Sequence, residues 1–329
     1  MPKILIIRFS SIGDIVLTSP VIRCISKQVQ DVEVHFLTKQ SFASIVEANP
    51  YVKKVYAIHK QVSEVMPLLK SENYDFVVDL HHNLRSWQVM LQLNTAHQSF
   101  PKLNYEKWLL VQFKLNKLPA THIVDRYMTA AAPLHVNNDL QGLDFFIPTK
   151  HEVALSSLPE NFKKGYVALV IGAQHFTKRL PNHKLTALCK QMHLPVVLIG
   201  GKDDYANAAA IENQCGNLVF NACGQYNLFQ SASLIRQASL VITHDTGMMH
   251  IAAAFQKKTI SVWGNTVPEF GMYPYLPMHA ERSYIAEVKN LNCRPCSKIG
   301  KTACPKGHFK CMQEIDIDII LKQAVLFTT

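Results

Sequence analysis

Two short stretches carry the side chains best suited to chemistry. In Phe9-Ser10-Ser11-Ile12-Gly13-Asp14, two hydroxyls, a glycine and a carboxylate stand at the head of a helical pattern. Asp14 there has two roles open. It is the N-cap of that helix, worth about 1 kcal/mol, or a general base that takes a proton from an attacking hydroxyl. In the second stretch, His244-Asp245-Thr246-Gly247 separates the apolar run Leu240-Val241-Ile242 from a breaker-free stretch, Met248 to Ala254. The order is strand, tight polar turn, helix. The amides of Thr246, Gly247 and Met248 then point out of a helix N-terminus without helical partners, which suits a phosphate. Gly247 has no side chain to keep a ligand from the backbone. Plain capping by Asp245 or Thr246 is the other reading.

Further polar groups follow other apolar runs. Asp79-Leu80-His81-His82-Asn83-Leu84-Arg85-Ser86 offers His81 or His82 to a substrate hydroxyl and Arg85 to a phosphate or carboxylate. Against that stands a polar helix start with a solvated arginine. After Tyr166 to Ile171 comes a loop with Lys178, the best cation for a diphosphate, and Arg179 in reserve. Pro101 to Thr121 is basic and aromatic and could lie against an anionic membrane surface. The expectation is instead an ordinary amphipathic helix with Trp108 packed inward.

These loops need strands to position them. Strand-like runs at 3–8, 32–37, 54–58 and 75–80 alternate with helical patterns at 15–28, 41–47 and 63–69. The second half repeats the alternation with strands at 166–171, 195–199, 218–220, 240–242 and 259–262. That is parallel β with crossover helices, one Rossmann-like sheet in each half. Ligands bind at the carboxyl ends of such strands. The interdomain connection is placed near Pro148 to Lys164, giving domains 1–155 and 156–329.

Length and composition fit. A chain of 329 residues suits two domains, and its 48% hydrophobic content supplies two cores. No apolar run reaches the roughly 20 residues of a membrane span. Met1-Pro2-Lys3 leads straight into a short apolar run stopped by Arg8, so no export signal is read and a cytoplasmic enzyme is expected. The net charge of +10 favours an anionic partner. No G-x-G-x-x-G follows a strand, and neither a Walker loop nor a Gly-x-Ser-x-Gly elbow is present. Dehydrogenase, ATPase and serine-hydrolase readings lose their support.

The eight cysteines form two sets. Cys24, Cys189, Cys215 and Cys223 are scattered, as core or free thiols of a reducing compartment. Cys293-x-x-Cys296, Cys304 and Cys311 cluster, and the first pair has zinc-ligand spacing. A zinc on four thiolates would be structural. Reduced thiols in a loop, or reversible disulfides, are the alternatives, and the lack of a second short pair counts against a nucleic-acid zinc ribbon. The basic residues of this segment also open a second class of function, a nucleic-acid- or membrane-associated binding protein built on it.

Taken together, ILIIRFSSIGD (Ile4 to Asp14), DLHHNLRS (Asp79 to Ser86), the Lys178 loop, HDTGMMHIAAA (His244 to Ala254), WGNTVPEFG (Trp263 to Gly271) and the cysteine segment resemble glycosyltransferase family 9, the ADP-heptose:lipopolysaccharide heptosyltransferases. The resemblance implies a GT-B fold, two Rossmann-like domains facing across a cleft with the acceptor on the N-terminal side and the donor on the C-terminal side. It implies that Asp14 is the catalytic base of an inverting transfer; Ser10, Ser11 and Gly13 would hold a donor or acceptor oxygen, and Arg85 is placed with them on the acceptor side. Lys178, Thr246, Gly247 and Met248 would hold the donor diphosphate, Asp245 its sugar hydroxyls, and His250 would line the donor site. Trp263 to Thr266 would border the nucleotide. The implied partners are a nucleotide sugar, an anionic glycolipid acceptor and the inner membrane surface, with no nucleic acid. No cofactor and no catalytic metal are expected, because lysine and a helix dipole supply the charge. The loop before Lys178 reads Ala173-Gln174-His175-Phe176 where many heptosyltransferases carry paired threonines. A GT-B sugar-nucleotide epimerase is a third reading.

Overall fold

Buried β-branched and leucine-rich runs build two parallel sheets. The computed structural model describes every residue from Met1 to Thr329. The first sheet contains β1 (Lys3–Ile7), β2 (Glu33–Lys39), β3 (Lys54–Ile58), β4 (Phe76–Asp79) and β5 (His97–Ser99), ordered β3-β2-β1-β4-β5. The second contains β6 (Val167–Val170), β7 (Val196–Ile199), β8 (Val219–Asn221), β9 (Leu240–His244), β10 (Thr259–Trp263) and β11 (Ser283–Glu287). Its order is β11-β10-β9-β6-β7-β8. Counted from its own first strand, each sheet has the Rossmann order, and every pairing is parallel. The order reverses at β1/β4 in one sheet and at β6/β9 in the other. In sheets of this kind ligands bind at such reversal points, outside the carboxyl ends of the strands.

Each sheet has its own core. Leu5, Ile7, Leu37 and Val77 are sealed in the first, and Val167, Leu198, Leu240 and Ile260 in the second. The chain divides into Met1–Leu103 with Thr121–Phe146, and Asn104–Ala120 with Ile147–Thr329. The passage at Ile147 falls just ahead of the Pro148 to Lys164 stretch. The tail of the first unit is tied down by Arg23, whose guanidinium binds Asp139 at 2.7 Å, Asp144 and the Gly142 carbonyl at 2.9 Å. The assignment of 104–120 to the second unit comes from packing: Leu110, Val111 and Leu118 lie against Val267 and Phe270.

Several local expectations need correction. The helix expected over 15–28 is two helices, Ile12–Val16 and Ser19–Gln28, because Pro20 has no N–H for the ladder. The Thr18 and Ser19 hydroxyls donate to the Ile15 and Val16 carbonyls at the break (2.6 and 2.7 Å). The strands β5 and β11 were not expected. β5 is three polar residues, and β11 is a half-exposed edge strand, so neither shows a buried-strand pattern. Trp108 does not pack inward. It lies two residues from buried Leu110 on the helix Asn104–Phe113, hence on its opposite side, and is 44% exposed.

Candidate active site

At the β1/β4 reversal point, Arg8 organises the loops. Its Nη1 donates to the Leu80 carbonyl (2.5 Å), its Nε to the Ser10 carbonyl (2.7 Å), and its Nη2 pairs with Asp14 Oδ1 (2.6 Å). The guanidinium also lies over the Tyr127 ring, 5.7 Å from its centre. Ile7 is in register with Asp79, so both strands end level and one arginine spans both loops. Sequence reasoning missed Arg8, treating it only as the residue that stops an apolar run.

Asp14 is not the N-cap. Ser11 is, and Asp14 sits three residues on, where Oδ2 accepts from the Ser11 amide (3.1 Å) and hydroxyl (2.8 Å). This is the carboxylate half of a capping box. Burial pushes the Asp14 carboxyl up, but the Arg8 charge and the Ser11 donors outweigh it, and the net displacement is downward. Asp14 is therefore an ionised carboxylate across the physiological range, with its side chain still 20% exposed. Ser10 is half-buried, Ser11 exposed and Gly13 buried in the helix behind Asp14.

The β4 loop is held by Asp79, which is fully buried and accepts from the His81 and His82 amides and the Ser86 and Ser99 hydroxyls (2.8–2.9 Å). His81 meets Phe9 edge-on at 5.1 Å. Burial, then the Arg8 and Lys102 charges, push its imidazole down to about 3, so it is neutral at pH 7. His82 is exposed, with Nδ1 2.9 Å from the Phe100 carbonyl oxygen. Arg85 does not join this group. It lies next to inward-turned Ser86 on the helix Leu84–Leu93, and borders a shallow depression with Gln61, Ser63 and Gln92.

At the β6/β9 reversal point, Lys178 bridges two loops. Its Nζ contacts Asp245 Oδ2 at 2.6 Å and donates to the Asp245 carbonyl at 3.1 Å. Thr266, in the loop after β10, donates to the same Asp245 oxygen at 2.8 Å. Asp245 is thus held by a lysine and a hydroxyl. Thr246 is the N-cap of the helix Gly247–Ala254, with no side-chain capping bond. The first bond of the helix is from the Met249 amide to the Thr246 carbonyl (3.1 Å), which leaves the Gly247 and Met248 amides at the positive helix end beside Lys178. His250 turns into the core at 2% exposure, one helical turn past the amides, and does not line a surface. Trp263 is also buried, with its indole N–H on the Ser261 hydroxyl (3.0 Å).

Arg179, the reserve cation, is committed to loop structure. It binds the Ala173 carbonyl and Asp204 Oδ1 (3.0 Å). Asp204 in turn accepts from the Gly201 amide at 2.9 Å. Gly172 must be glycine, since a Cβ there would lie 2.3 Å from Asp204 Oδ2.

His244 locks the Lys178 loop to β9: its Nε2 accepts from the Leu180 amide at 3.0 Å. Burial, then the Arg179 charge, push it down to about 4. The unfolded imidazole takes a proton near pH 6.5, whereas the folded one resists until about 4. Its stabilising contribution is complete above pH 6.5 and is lost as pH falls toward 4, a loss of up to about 3 kcal/mol. The thermal midpoint of the parent is expected to fall over that window more steeply than that of His244→Gln. His81 adds the same loss to both, so parallel curves would show that His244 is not the group.

The cysteine segment lies against this half-site. The Lys301 carbonyl accepts from the Thr177 amide (3.2 Å), the Cys296 amide donates to the Asn265 carbonyl (3.2 Å), and Arg294 donates to the Thr266 carbonyl (2.9 Å). All eight cysteines are free thiols, and no three His, Cys, Asp or Glu side chains are gathered to hold a metal ion. Burial and the neighbouring thiols push Cys311 up to about 12, against the opposing Arg294 charge, so it is an unreactive thiol.

The fold and these loops can be set beside known proteins. The chain is 26% identical over 295 residues to the lipopolysaccharide heptosyltransferase 1 of Campylobacter coli, covering 80% of this chain and 84% of that one. A glycosyltransferase family 9 structure from Veillonella parvula superposes with a TM-score of 0.78 at 18% identity, over 99% of this chain and 97% of that one. The Escherichia coli ADP-heptose lipopolysaccharide heptosyltransferase II superposes with a TM-score of 0.73 at 18% identity, over 99% and 98%. Both share the GT-B fold of two Rossmann-type units. The model of glycosyltransferase family 9 (heptosyltransferase) matches residues 63–306, most of the chain, so the protein belongs to that family and is a glycosyltransferase.

Proposed function

We propose that the protein transfers heptose from ADP-heptose to a lipopolysaccharide core acceptor with inversion at the anomeric carbon. The observation that carries this reading is Asp14, a carboxylate at the β1/β4 reversal point kept ionised against burial by Arg8 and Ser11. An alcohol is a poor nucleophile until a base takes its proton in the transition state. Asp14 Oδ would accept that proton as the acceptor oxygen bonds to the anomeric carbon. The bond from that carbon to the diphosphate oxygen breaks, and ADP leaves with the electron pair. Charge builds on the leaving oxygen, where Lys178 and the Gly247 and Met248 amides would stabilise it. The names of the relatives support heptose and ADP as the donor parts. Positive charge and the lipid nature of the acceptor support work at the inner membrane surface, from the cytoplasmic side.

Purified protein, ADP-heptose and an inner-core lipopolysaccharide acceptor test this in one reaction. A product with the anomeric configuration opposite to the donor's, and no transfer from UDP-sugars, is expected. Retained configuration, a preference for a UDP-sugar, or conversion of the donor without an acceptor would each contradict the reading.

A further inference from the structure

The helix Asn104–Phe113 is fixed to the second unit by one face and by both ends. Leu110 and Val111 meet Val267 and Phe270. At its start Lys298 Nζ donates to the Asn104 carbonyl (3.3 Å), and at its end Lys114 Nζ donates to the Val111 carbonyl (2.6 Å) and the Pro295 carbonyl (2.7 Å). Its outward face should then be polar, and it is not. Tyr105, Trp108 and Phe113 are 66%, 44% and 58% exposed, and Leu115 and Ile299 beside the helix ends are 53% and 65% exposed. The three rings support one another: Tyr105 stacks on Trp108 at 6.1 Å, and Trp108 meets Phe113 edge-on at 5.3 Å.

The charge around this face has one sign. Residues 104–120 contain Lys107, Lys114 and Lys117 against Glu106 alone, and residues 288–313 contain six Lys or Arg and no Asp or Glu. We propose that this aromatic face and its cationic border form a docking surface for an anionic lipid bilayer. Tyrosine and tryptophan prefer the headgroup boundary, and exposed leucine and isoleucine gain by entering the acyl region. Lysines at the border meet the negative surface. Aliphatic Leu115 and Ile299 have no bases to stack on, which favours lipid over nucleic acid. The surface brings the enzyme to the layer where a lipid-anchored acceptor sits, and its existence does not depend on which sugar is moved.

Vesicle flotation of the full chain tests it. The protein is expected to float with phosphatidylcholine vesicles containing phosphatidylglycerol and not with phosphatidylcholine alone, with binding weakened by salt. The variant carrying Tyr105→Ser, Trp108→Ser and Phe113→Ser should bind at least about tenfold less, and Lys117→Glu with Lys306→Glu, both at exposed positions, should do the same while leaving the aromatic face intact. Both should keep the parent's circular dichroism and its transfer to a water-soluble acceptor. Trp263 is buried and Trp87, on another helix, is 55% exposed, so quenching by brominated lipid can be assigned. Quenching in Trp87→Phe but not in Trp108→Phe is the expected pattern. Equal flotation on neutral vesicles, flotation unchanged in both variants, or quenching that follows Trp87 would overturn the proposal. So would self-association or oligonucleotide binding that the aromatic variant abolishes while flotation persists.

Discussion

Asp14→Asn is expected to lower turnover by about a thousandfold, within the 10²–10⁴ range for loss of a general base. The amide has nearly the shape of the carboxylate and can still accept from Ser11, so the loop is expected to persist. What it cannot do is take the acceptor's proton. Affinity for ADP should be unchanged, because the groups proposed for the diphosphate, Lys178 and the Gly247 and Met248 amides, lie on the second unit's loops. The pair with Arg8 is mostly buried, with side-chain exposures of 9% and 20%, so the substitution also leaves a guanidinium short of a counter-charge. A stability loss of about 2 kcal/mol follows, less than for a fully buried pair because Asp14 retains some solvent. Arg8 keeps its bonds to the Leu80 and Ser10 carbonyls, which limits the damage. Turnover near the parent's with normal ADP binding would show that Asp14 only closes the helix start.

Lys178→Met is expected to cost about 10²–10³ in turnover, the scale for removing one group that stabilises a developing anion. It also strips Asp245 of its ion partner, leaving a mostly buried carboxylate with Thr266 as its remaining donor. That costs about 1–3 kcal/mol of stability, below the figure for a fully buried pair because both side chains keep some solvent. The two effects separate in the double variant Lys178→Met with Asp245→Asn. Its melting temperature should recover, since no unpaired charge remains, while turnover stays low. If turnover recovered with stability, Lys178 would be a structural partner of Asp245 and nothing more.

How much of this was legible in the sequence follows from range of interaction. Buried strands announce themselves by composition, so Leu240-Val241-Ile242 and its turn into Gly247 could be read from adjacent residues. The positions of Asp14 and Lys178 at strand ends followed from the same alternation. Arg8 could not be read this way, because its partners are a carbonyl 72 residues away and a carboxylate on the next turn. A buried strand that ends in arginine ahead of an acidic helix start was the available signal. Asp79 and Asp204 are half legible: the amides they accept from lie two or three residues away, as in ordinary Asx turns and helix starts, whereas the Ser99 hydroxyl and the Arg179 guanidinium come from 20 and 25 residues off. Arg85, read for the acceptor, stands beside Gln61 and Ser63 and not among the Arg8 contacts, because the helix turns its neighbour Ser86 inward to Asp79. Trp108 misled because large aromatic residues are usually inside, and the chain instead spends Leu110 and Val111 on that contact.

The account rests on a carboxylate whose charge is set by its neighbours, and the pH dependence of kcat/KM in the parent and in Arg8→Gln tests that most directly. In the parent the Asp14 carboxyl lies below its ordinary value, so no acid limb from this group is expected above about pH 5. Without the guanidinium, burial is no longer outweighed, the carboxyl rises, and an acid limb should move toward neutral pH while activity at high pH persists. Superimposable profiles for the two proteins would contradict the role given to Asp14.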